Sequence, residues 1–213
     1  MINYPNYVNL SKIDCDKINL FNTIHQRTYL TIPLPHNTQE NACIILMNPA
    51  TADCAQSDNT VNKIINYFNQ YKFESITILN LFPIYDPNSS NLYNSLQLIK
   101  NSTTSLNLSN IIDNNLNIIS KYINRSNKII LAWGDCPKKN SKITTSTTFN
   151  STLFYNTTCN ILKLLIHKTN LYCFKFNNSS KLTQYGNPYH TSRKGDILGI
   201  YKLTLDSYLL TLS

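Results

Sequence analysis

The sequence predicts a single-domain α/β fold with a central, mostly parallel sheet of four strands. Four short apolar runs have the length and flanks of buried strands, and they alternate with stretches whose apolar residues recur at helical spacing. The chain has 213 residues, of which 42% are hydrophobic, and this suits one domain with a sizeable core. We assign residues 1–213 to one domain, with residues 1–40 as an N-terminal extension packed on it.

Strands and helices are predicted in alternation along the chain. Leu30 and Ile32 share one face of a short edge strand, which two prolines then end. Asp58 precedes a helix whose apolar residues keep a helical spacing from Val61 to Phe68. The segment from residue 197 onward fits either a helix or a strand. The four buried strands are predicted at residues 42–47, 75–82, 128–133 and 171–176, and two further helices at residues 106–123 and 152–167.

Polar residues follow each predicted buried strand. In open α/β sheets, ligands bind beyond the carboxyl ends of the strands, so these polar segments are expected to converge on one site. The sequence has no phosphate-binding P-loop and no dinucleotide fingerprint, and none of its six cysteines has the spacing of a zinc site. We therefore predict a binding site without a metal or cofactor at this edge of the sheet.

The chain is basic, with a formal net charge of +8. A basic excess favours a polyanionic partner through counterion release, although charge alone fits a basic soluble protein equally well. Only three of the cations are arginines, and lysines suit phosphate contacts better than the reading of base edges. No signal peptide and no long apolar run are visible, so we expect a cytoplasmic protein that does not bind a membrane.

Four motifs stand at or after the predicted strand ends, and together they resemble the uracil-DNA glycosylase superfamily. In that superfamily the first buried strand ends in Asp or Asn before proline, a later strand ends in asparagine, the next ends in a pair such as Trp-Gly, and a final loop carries histidine. The motifs here are ILMNPATAD at 45–53, ILNLFP at 78–83, ILAWGDCPKKN at 130–140 and GNPYHTSRKG at 186–195.

The resemblance implies a fold and an activity. The fold is a three-layer α/β/α arrangement around a four-stranded, mostly parallel sheet. The activity is that of a DNA glycosylase, which flips a uracil or a related base out of single- or double-stranded DNA and hydrolyses its N-glycosidic bond. No cofactor is implied, and a protein inhibitor or other protein partner is left open. The chain is most similar to a bacterial and phage branch of the superfamily.

Three residues carry the central roles that the resemblance implies. Asn48 would orient the attacking water, or else it simply ends a strand and bonds the local backbone. Asn80 would read the edge of the uracil, or else its amide pairs with backbone groups. His190 would donate a hydrogen bond to the uracil O2 as negative charge develops on the leaving base, or else it is a surface histidine.

Further residues have secondary roles in this interpretation. Ala50 stands where uracil-specific members have a bulky tyrosine, so rejection of thymine stays open. Phe82 or Tyr85 would stack on the base, whereas Trp133 is expected in the core. Asp53 or Asp58 would supply the base that Asn48 cannot, and Asp58 is alternatively a helix cap. The residues expected to contact DNA phosphates, or to lie in solvated loops, are Lys138, Lys139, Lys142, Arg193 and Lys194.

Two other functions fit the same residues. The first is a nucleic-acid-binding protein that has the glycosylase fold but little or no catalytic activity, because fold does not imply function. Thr191 follows the histidine where the superfamily usually has proline, and this departure favours the inactive alternative. The second is a hydrolase of free nucleosides or nucleotides, which would turn over small substrates and have little affinity for DNA.

Overall fold

The structure, a computed structural model, describes residues 2–21, 23–86, 92–102, 107–137, 151–177, 182–193, 195–206 and 209–212. None of the helices in these ranges is both long and apolar enough to cross a bilayer. The helices are α1 (Asn59–Gln70), α2 (Leu92–Lys100), α3 (Leu108–Ile123) and α4 (Ser151–Leu165). The strands are β1 (Asp14–Cys15), β2 (Ile18–Phe21), β3 (Ile24–Gln26), β4 (Tyr29–Pro33), β5 (Asn41–Leu46), β6 (Ser75–Asn80), β7 (Lys128–Leu131), β8 (Leu171–Phe176), β9 (Ile197–Asp206) and β10 (Leu209–Leu212).

The main sheet of the described residues has eight strands in the order β1-β4-β6-β5-β7-β8-β9-β10. The central strands β6, β5, β7 and β8 are parallel, and they are the four strands that the sequence predicts. The α/β class is therefore confirmed, but the expected four-stranded sheet is too small. Antiparallel strands extend it at both edges, because the N-terminal segment pairs with β6 and the C-terminal segment pairs with β8.

Helices cover both faces of this sheet, and the side chains of each central strand point alternately to two cores. One core contains the buried face of α1 together with Ile44, Ile78 and Ile130. The other contains the buried residues of α2, α3 and α4 together with Ile45, Leu79 and Leu131. Strands that are buried on both faces read as continuous apolar runs, which is why they were recognisable in the sequence.

Helix α1 begins where the sequence predicts. The side chain of Asp58 accepts the backbone N–H of Val61 at 2.8 Å, so Asp58 is the N-cap, and Ile64, Ile65 and Phe68 are fully buried. Helix α2 was not predicted, although Leu92, Leu96 and Ile99 have the spacing of one helix face and are buried.

The N-terminal residues are part of the sheet and also contact the loop that follows β5. The hydroxyl of Tyr4 donates to the carbonyl oxygen of Asp53 at 2.6 Å. The thiols of Cys15 and Cys54 are in contact, with their sulfur atoms 2.6 Å apart. These contacts join the first strand of the sheet to a loop that begins at the carboxyl end of a central strand.

Candidate functional site

The carboxyl ends of β5 and β7 form the topological switch point of the sheet. The chain passes from β5 to β6 on one side and then crosses to β7 on the other. A crevice opens between strands whose connections leave in opposite directions, and ligands of α/β proteins bind there. The cleft at this point has a volume of about 580 Å³, within the range of small-molecule sites.

The walls of the cleft come from six parts of the chain. They are the residues that follow β5 and β7, the start of α1, the loop after β6, the loop after β8, and one residue from the N-terminus. The lining residues are Ile2, Met47, Asn48, Ala50, Thr51, Asp58, Asn59, Thr60, Lys63, Asp86, Trp133, Gly134, Asp135, Thr183, Tyr189, His190 and Ser192. The expected convergence of the polar segments therefore includes Asn48, Ala50 and His190.

Asn48 is held with a fixed orientation. Its Nδ2 donates to the carbonyl oxygen of Asp86 at 2.8 Å and to that of Pro49 at 3.1 Å. Both protons of the amide are used in this way, and no described residue donates to Oδ1. The side chain therefore offers a hydrogen-bond acceptor to a ligand.

His190 is oriented by the residue two positions after it. The backbone N–H of Ser192 donates to His190 Nδ1 at 3.2 Å, and the Ser192 hydroxyl lies 2.7 Å from the same nitrogen. Because Nδ1 accepts a hydrogen bond from a backbone N–H, the neutral ring carries its own proton on Nε2. His190 is therefore a hydrogen-bond donor through Nε2.

Gly134 lets the histidine loop approach the end of β7. Its φ is +77°, and a Cβ atom added to it would lie 3.0 Å from Cβ of His190. Its N–H donates to the carbonyl oxygen of Pro188 at 2.9 Å. Two features thus favour glycine at position 134: its left-handed backbone conformation and the close approach of His190.

A polar network joins the end of β7 to the loop after β8. Asp135 Oδ1 accepts the hydroxyl of Thr183 at 2.6 Å and Nδ2 of Asn187 at 2.9 Å. Trp133 Nε1 donates to Oδ1 of the same asparagine at 3.3 Å. Trp133 is 1% exposed and belongs to the core, as expected. The network holds the segment that carries His190.

Lys63 ties α1 to the same loop. Its Nζ donates to the carbonyl oxygens of Thr191 and Gly195, both at 3.2 Å. Lys63 is the one lysine among the described residues that line the cleft, and these two hydrogen bonds position the loop. Among the described residues, three aspartates line the cleft with it, so this part of the lining carries more carboxylates than ammonium groups although the whole chain is basic.

Asn80 does not line the cleft. It is the last residue of β6 and pairs with Leu46, but its side chain is 0% exposed. Neither Oδ1 nor Nδ2 of its amide has a hydrogen-bond partner. Of the three residues that were expected to carry the central roles, Asn48 and His190 line the same cleft. The third, Asn80, is buried outside it.

The two candidate stacking residues also lie away from the cleft. Phe82 is 0% exposed and packs in the core on the side of α2, α3 and α4. Tyr85 donates its hydroxyl proton to the carbonyl oxygen of Ala52 at 2.8 Å, and burial raises its pKa. Stacking on a base by either ring stays a prediction.

Asp53 and Asp58, the two candidate bases, both have structural partners. Asp58 lines the cleft but caps α1. Asp53 accepts Nζ of Lys17 at 2.7 Å, and it also accepts the backbone N–H groups of Ala55 and Gln56. Burial acts to raise the pKa of Asp53, but these hydrogen bonds outweigh it and hold the pKa below its usual value.

The residues expected to contact DNA cannot be placed. Lys138, Lys139, Lys142 and Lys194 lie outside the described residues, as does the side chain of Arg193. Their phosphate contacts stay a prediction. Within the ranges that the structure does describe, no three of the His, Cys, Asp and Glu side chains form a group that could hold a metal ion.

Two carboxylates of the cleft, Asp86 and Asp135, were missed as site residues. Asp135 follows β7 in the motif ILAWGDCPKKN, in which only the tryptophan and the lysines were given expected positions or roles. Asp86 lies six residues beyond Asn80 in a segment that reads as a turn. The rule that ligands bind at the carboxyl ends of parallel strands applies to both positions and was the available signal.

A family model described as "Protein of unknown function (DUF1643)" matches residues 27–191. The chain belongs to this family. The DUF1643 match includes all four central strands and ends one residue after His190, so nearly the whole cleft lies within it. No curated protein and no solved structure gives a significant match to the chain.

Proposed function

We propose that the chain is a DNA glycosylase that hydrolyses the N-glycosidic bond of uracil or a related base. The observation that carries the proposal is that Asn48 and His190 line the same cleft. Asn48 offers a hydrogen-bond acceptor there, and His190 offers a hydrogen-bond donor. Hydrolysis of a glycosidic bond needs these two functions, because a water must be oriented and the leaving base must be stabilised.

In this reaction Asn48 orients the water. Its amide protons are held by two backbone carbonyls, so Oδ1 accepts a hydrogen bond from the water. This orients the water so that a lone pair on its oxygen faces C1′ of the sugar. An amide is a poor base, but an oxocarbenium-like transition state needs little push from the nucleophile.

His190 stabilises the base as it departs. As the C1′–N bond breaks, its electron pair moves onto the base, and the negative charge spreads to the carbonyl oxygens. A neutral imidazole with its proton on Nε2 donates a hydrogen bond to such an oxygen. The hydrogen bond from the Ser192 N–H to Nδ1 keeps the ring in this tautomer and orientation.

Asn80 reads the base in this proposal, and this role requires a rearrangement. The support for it is an amide with a donor and an acceptor that no protein group satisfies. Because the side chain is fully buried, an extruded base reaches it only if neighbouring side chains move. The three-layer glycosylase fold is part of the same proposal, and helices on both faces of the sheet support it.

DNA is the proposed partner, in single- or double-stranded form. The net charge of +8 favours a polyanion, whereas the carboxylates of the cleft disfavour phosphates inside it. The phosphates would therefore bind outside the cleft, and the cleft would receive the neutral base and the sugar. The lysines at 138, 139, 142 and 194 stay the candidates for the phosphate contacts that the sequence suggests.

The test measures release of uracil from a labelled single-stranded oligonucleotide, detected by alkaline cleavage at the abasic site. We expect Asn48→Ala and His190→Ala each to lower the single-turnover rate at least about 100-fold. Asn117→Ala and His167→Ala, which change exposed residues on helix α3 and just after α4, serve as matched controls. Full activity in both cleft variants would remove the site assignment, and no release of any base by the unmodified protein would remove the activity.

The second candidate is a nucleic-acid-binding protein without base release. The complete burial of Asn80 favours it, because a base cannot be read by a side chain that it cannot reach. This candidate predicts salt-sensitive DNA binding that is equal for oligonucleotides with and without uracil, and no abasic product at any enzyme concentration.

A further inference from the structure

Arg27 is a buried cation that the proposed reaction does not use. Its side chain is 1% exposed, and no carboxylate of the described residues forms an ion pair with it, since the ion pair found there joins Lys17 to Asp53. Its Nε has no hydrogen-bond partner. Burial of a charge without an opposite charge is costly, so the stability of the fold alone does not favour an arginine at this position.

The contacts that Arg27 does make join two loops at the carboxyl ends of neighbouring strands. Its Nη1 donates to the carbonyl oxygen of Ala52 at 2.5 Å, in the loop after β5. Its backbone N–H donates to the carbonyl oxygen of Pro83 at 2.8 Å, in the loop after β6. In the same loop, the centre of the Tyr85 ring lies 5.6 Å from the guanidinium carbon, and the Tyr85 hydroxyl donates to the carbonyl oxygen of Ala52. Arg27 therefore contacts both loops at once.

The same two loops carry the groups that orient Asn48. Its Nδ2 donates to the carbonyl oxygens of Pro49 and Asp86, one on each loop. The segment that begins at Asn48 lines the cleft as far as Thr51, and Arg27 binds the residue that follows it. A relative shift of the two loops would separate the two carbonyls and change the direction of the Asn48 amide.

We propose that Arg27 is a positioning residue, which fixes the direction of the Asn48 amide by holding the loop after β5 against the loop after β6; this inference rests on the proposed function. Arg27 is not among the residues that line the cleft, so it acts through Asn48 and not on the substrate. A guanidinium suits this role because it is planar, stays charged and presents its N–H donors in fixed directions. The Ala52 carbonyl keeps a second donor, the Tyr85 hydroxyl, so loss of the guanidinium is expected to loosen the loops without leaving this carbonyl unpaired.

The first experiment measures single-turnover uracil release by the full chain. We expect Arg27→Met to lower the rate at least about tenfold, because a small misplacement of a positioned group is enough for such a loss. The double variant Arg27→Met/Asn48→Ala is expected to be as slow as Asn48→Ala and no slower, since two changes that act through the same group are not additive. Arg125→Met is the matched control, because it removes one charge at an exposed arginine just after α3, and it is expected to behave as the unmodified protein.

The second experiment needs no catalytic activity. Both Nδ2 protons of Asn48 donate to carbonyl oxygens, so we expect them to exchange slowly with solvent. NMR follows this exchange once the signals are assigned by their absence from the spectrum of Asn48→Ala. We expect exchange at least about tenfold faster in Arg27→Met and unchanged exchange in Arg125→Met.

Unchanged exchange of the Asn48 protons in Arg27→Met would overturn the role of Arg27, as would an unchanged rate of base release or rates that multiply in the double variant. Circular dichroism reports whether Arg27→Met and Arg27→Lys, which keeps the charge, are folded. Failure of both variants to fold would give Arg27 a structural role only and would also overturn the proposal. Unmodified protein that releases no base would overturn the proposed function, and the exchange measurement would still decide whether Arg27 fixes the Asn48 amide.

Discussion

The amide of Asn80 is completely buried, and neither of its polar atoms has a hydrogen-bond partner. Leaving such a group unsatisfied costs about 1–3 kcal/mol of stability. Asn115 on α3 lies close by, but its Nδ2 donates to the carbonyl oxygens of Asn80 and Leu81, so it supports the end of β6. The two buried asparagines therefore have opposite expected effects on stability.

Replacement of Asn80 tests this difference. Leucine has a similar shape without the polar atoms, so Asn80→Leu is expected to raise the free energy of unfolding by about 1–3 kcal/mol, whereas Asn115→Leu is expected to lower it. Urea denaturation of both variants measures the changes. A marked loss of stability in Asn80→Leu would mean that the Asn80 amide is satisfied in solution, for example by a buried water.

Gly134 and Gly186 give a matched pair for the histidine loop. Both have φ near +75°, but an added Cβ meets His190 only at Gly134, and nothing lies within 4 Å of it at Gly186. We expect Gly186→Ala to lose about 1 kcal/mol of stability, Gly134→Ala to lose about 2–3 kcal/mol, and only the latter to impair base release. Equal losses in thermal denaturation would show that backbone strain alone acts at Gly134.

Which residues of the site were predictable depends on where they stand on the strands. Asn48 and His190 belong to loops, and loops at one sheet edge converge regardless of the exact register. Asn80 is still within β6, where side chains alternate between the faces of the sheet, so its direction depends on the strand end and on the cores. The main chain of Asp86 accepts a hydrogen bond from the Asn48 amide and donates one to Pro49, and no residue pattern reveals these contacts.

Among the elements, the central strands and α1 were the most predictable. Their apolar runs are continuous or helically spaced, and Asp58 marks the start of α1. Strands β1, β2 and β3 were not predicted, because they have two to four residues each and carry little periodicity. Strand β9 is half exposed, and a pattern of that kind without strict alternation fits a helix as well as a strand.

The contact between Cys15 and Cys54 links the edge strand β1 to the loop after β5. The sulfur atoms are 2.6 Å apart, so a modest rotation brings them to the bonding distance of about 2.05 Å. Incubation with oxidised glutathione is expected to form this disulfide by thiol–disulfide exchange, with two glutathione thiols released and the mass of the chain lowered by two hydrogen atoms. The bond would close a loop of 39 residues and raise the free energy of unfolding by about 4 kcal/mol.

Peptide mapping identifies the bond, and Cys54→Ser is the control, in which no stabilisation is expected. If oxidation yields only mixed disulfides with glutathione, the two thiols do not meet in solution in the way that the structure describes.

At the scale of the whole molecule, the chain carries a formal net charge of +8, which favours binding of a polyanion. We expect DNA affinity to fall at least about tenfold between 50 and 200 mM salt, since several phosphates are neutralised at once. The triple change of Lys138, Lys139 and Lys142 to glutamine should flatten this salt dependence, whereas Lys163→Gln on the exposed face of α4 should not. Filter binding over a salt series measures both slopes, and an unchanged slope in the triple variant would place the phosphate contacts elsewhere.

The parallel order of the four central strands was predictable, but the width of the sheet was not, and four of the seven strand pairings in the described sheet are antiparallel. Strand–helix alternation fixes the right-handed crossovers of the four central strands. Antiparallel additions at the edges depend on long-range pairing, such as that of Tyr29 with Leu79 or of Tyr172 with Lys202. The edge strand at Leu30 and Ile32 was predicted and is β4, but no local pattern showed which strand it pairs with, or that the C-terminal segment also joins the sheet.

The contacts of the first residues with the loop after β5 have a practical consequence. A shortened protein that starts at Arg27, where the family match starts, keeps β4 but lacks β1, Tyr4 and Lys17. Asp53 would then lose its ion pair with Lys17 and the hydrogen bond from Tyr4 to its carbonyl oxygen. The loop after β5, which begins near Asn48, would lose these two contacts. Among the described residues that line the cleft, only Ile2 precedes Arg27. Removing residues 1–26 is nevertheless expected to disturb the cleft, so the family boundary is a poor start for a shortened protein.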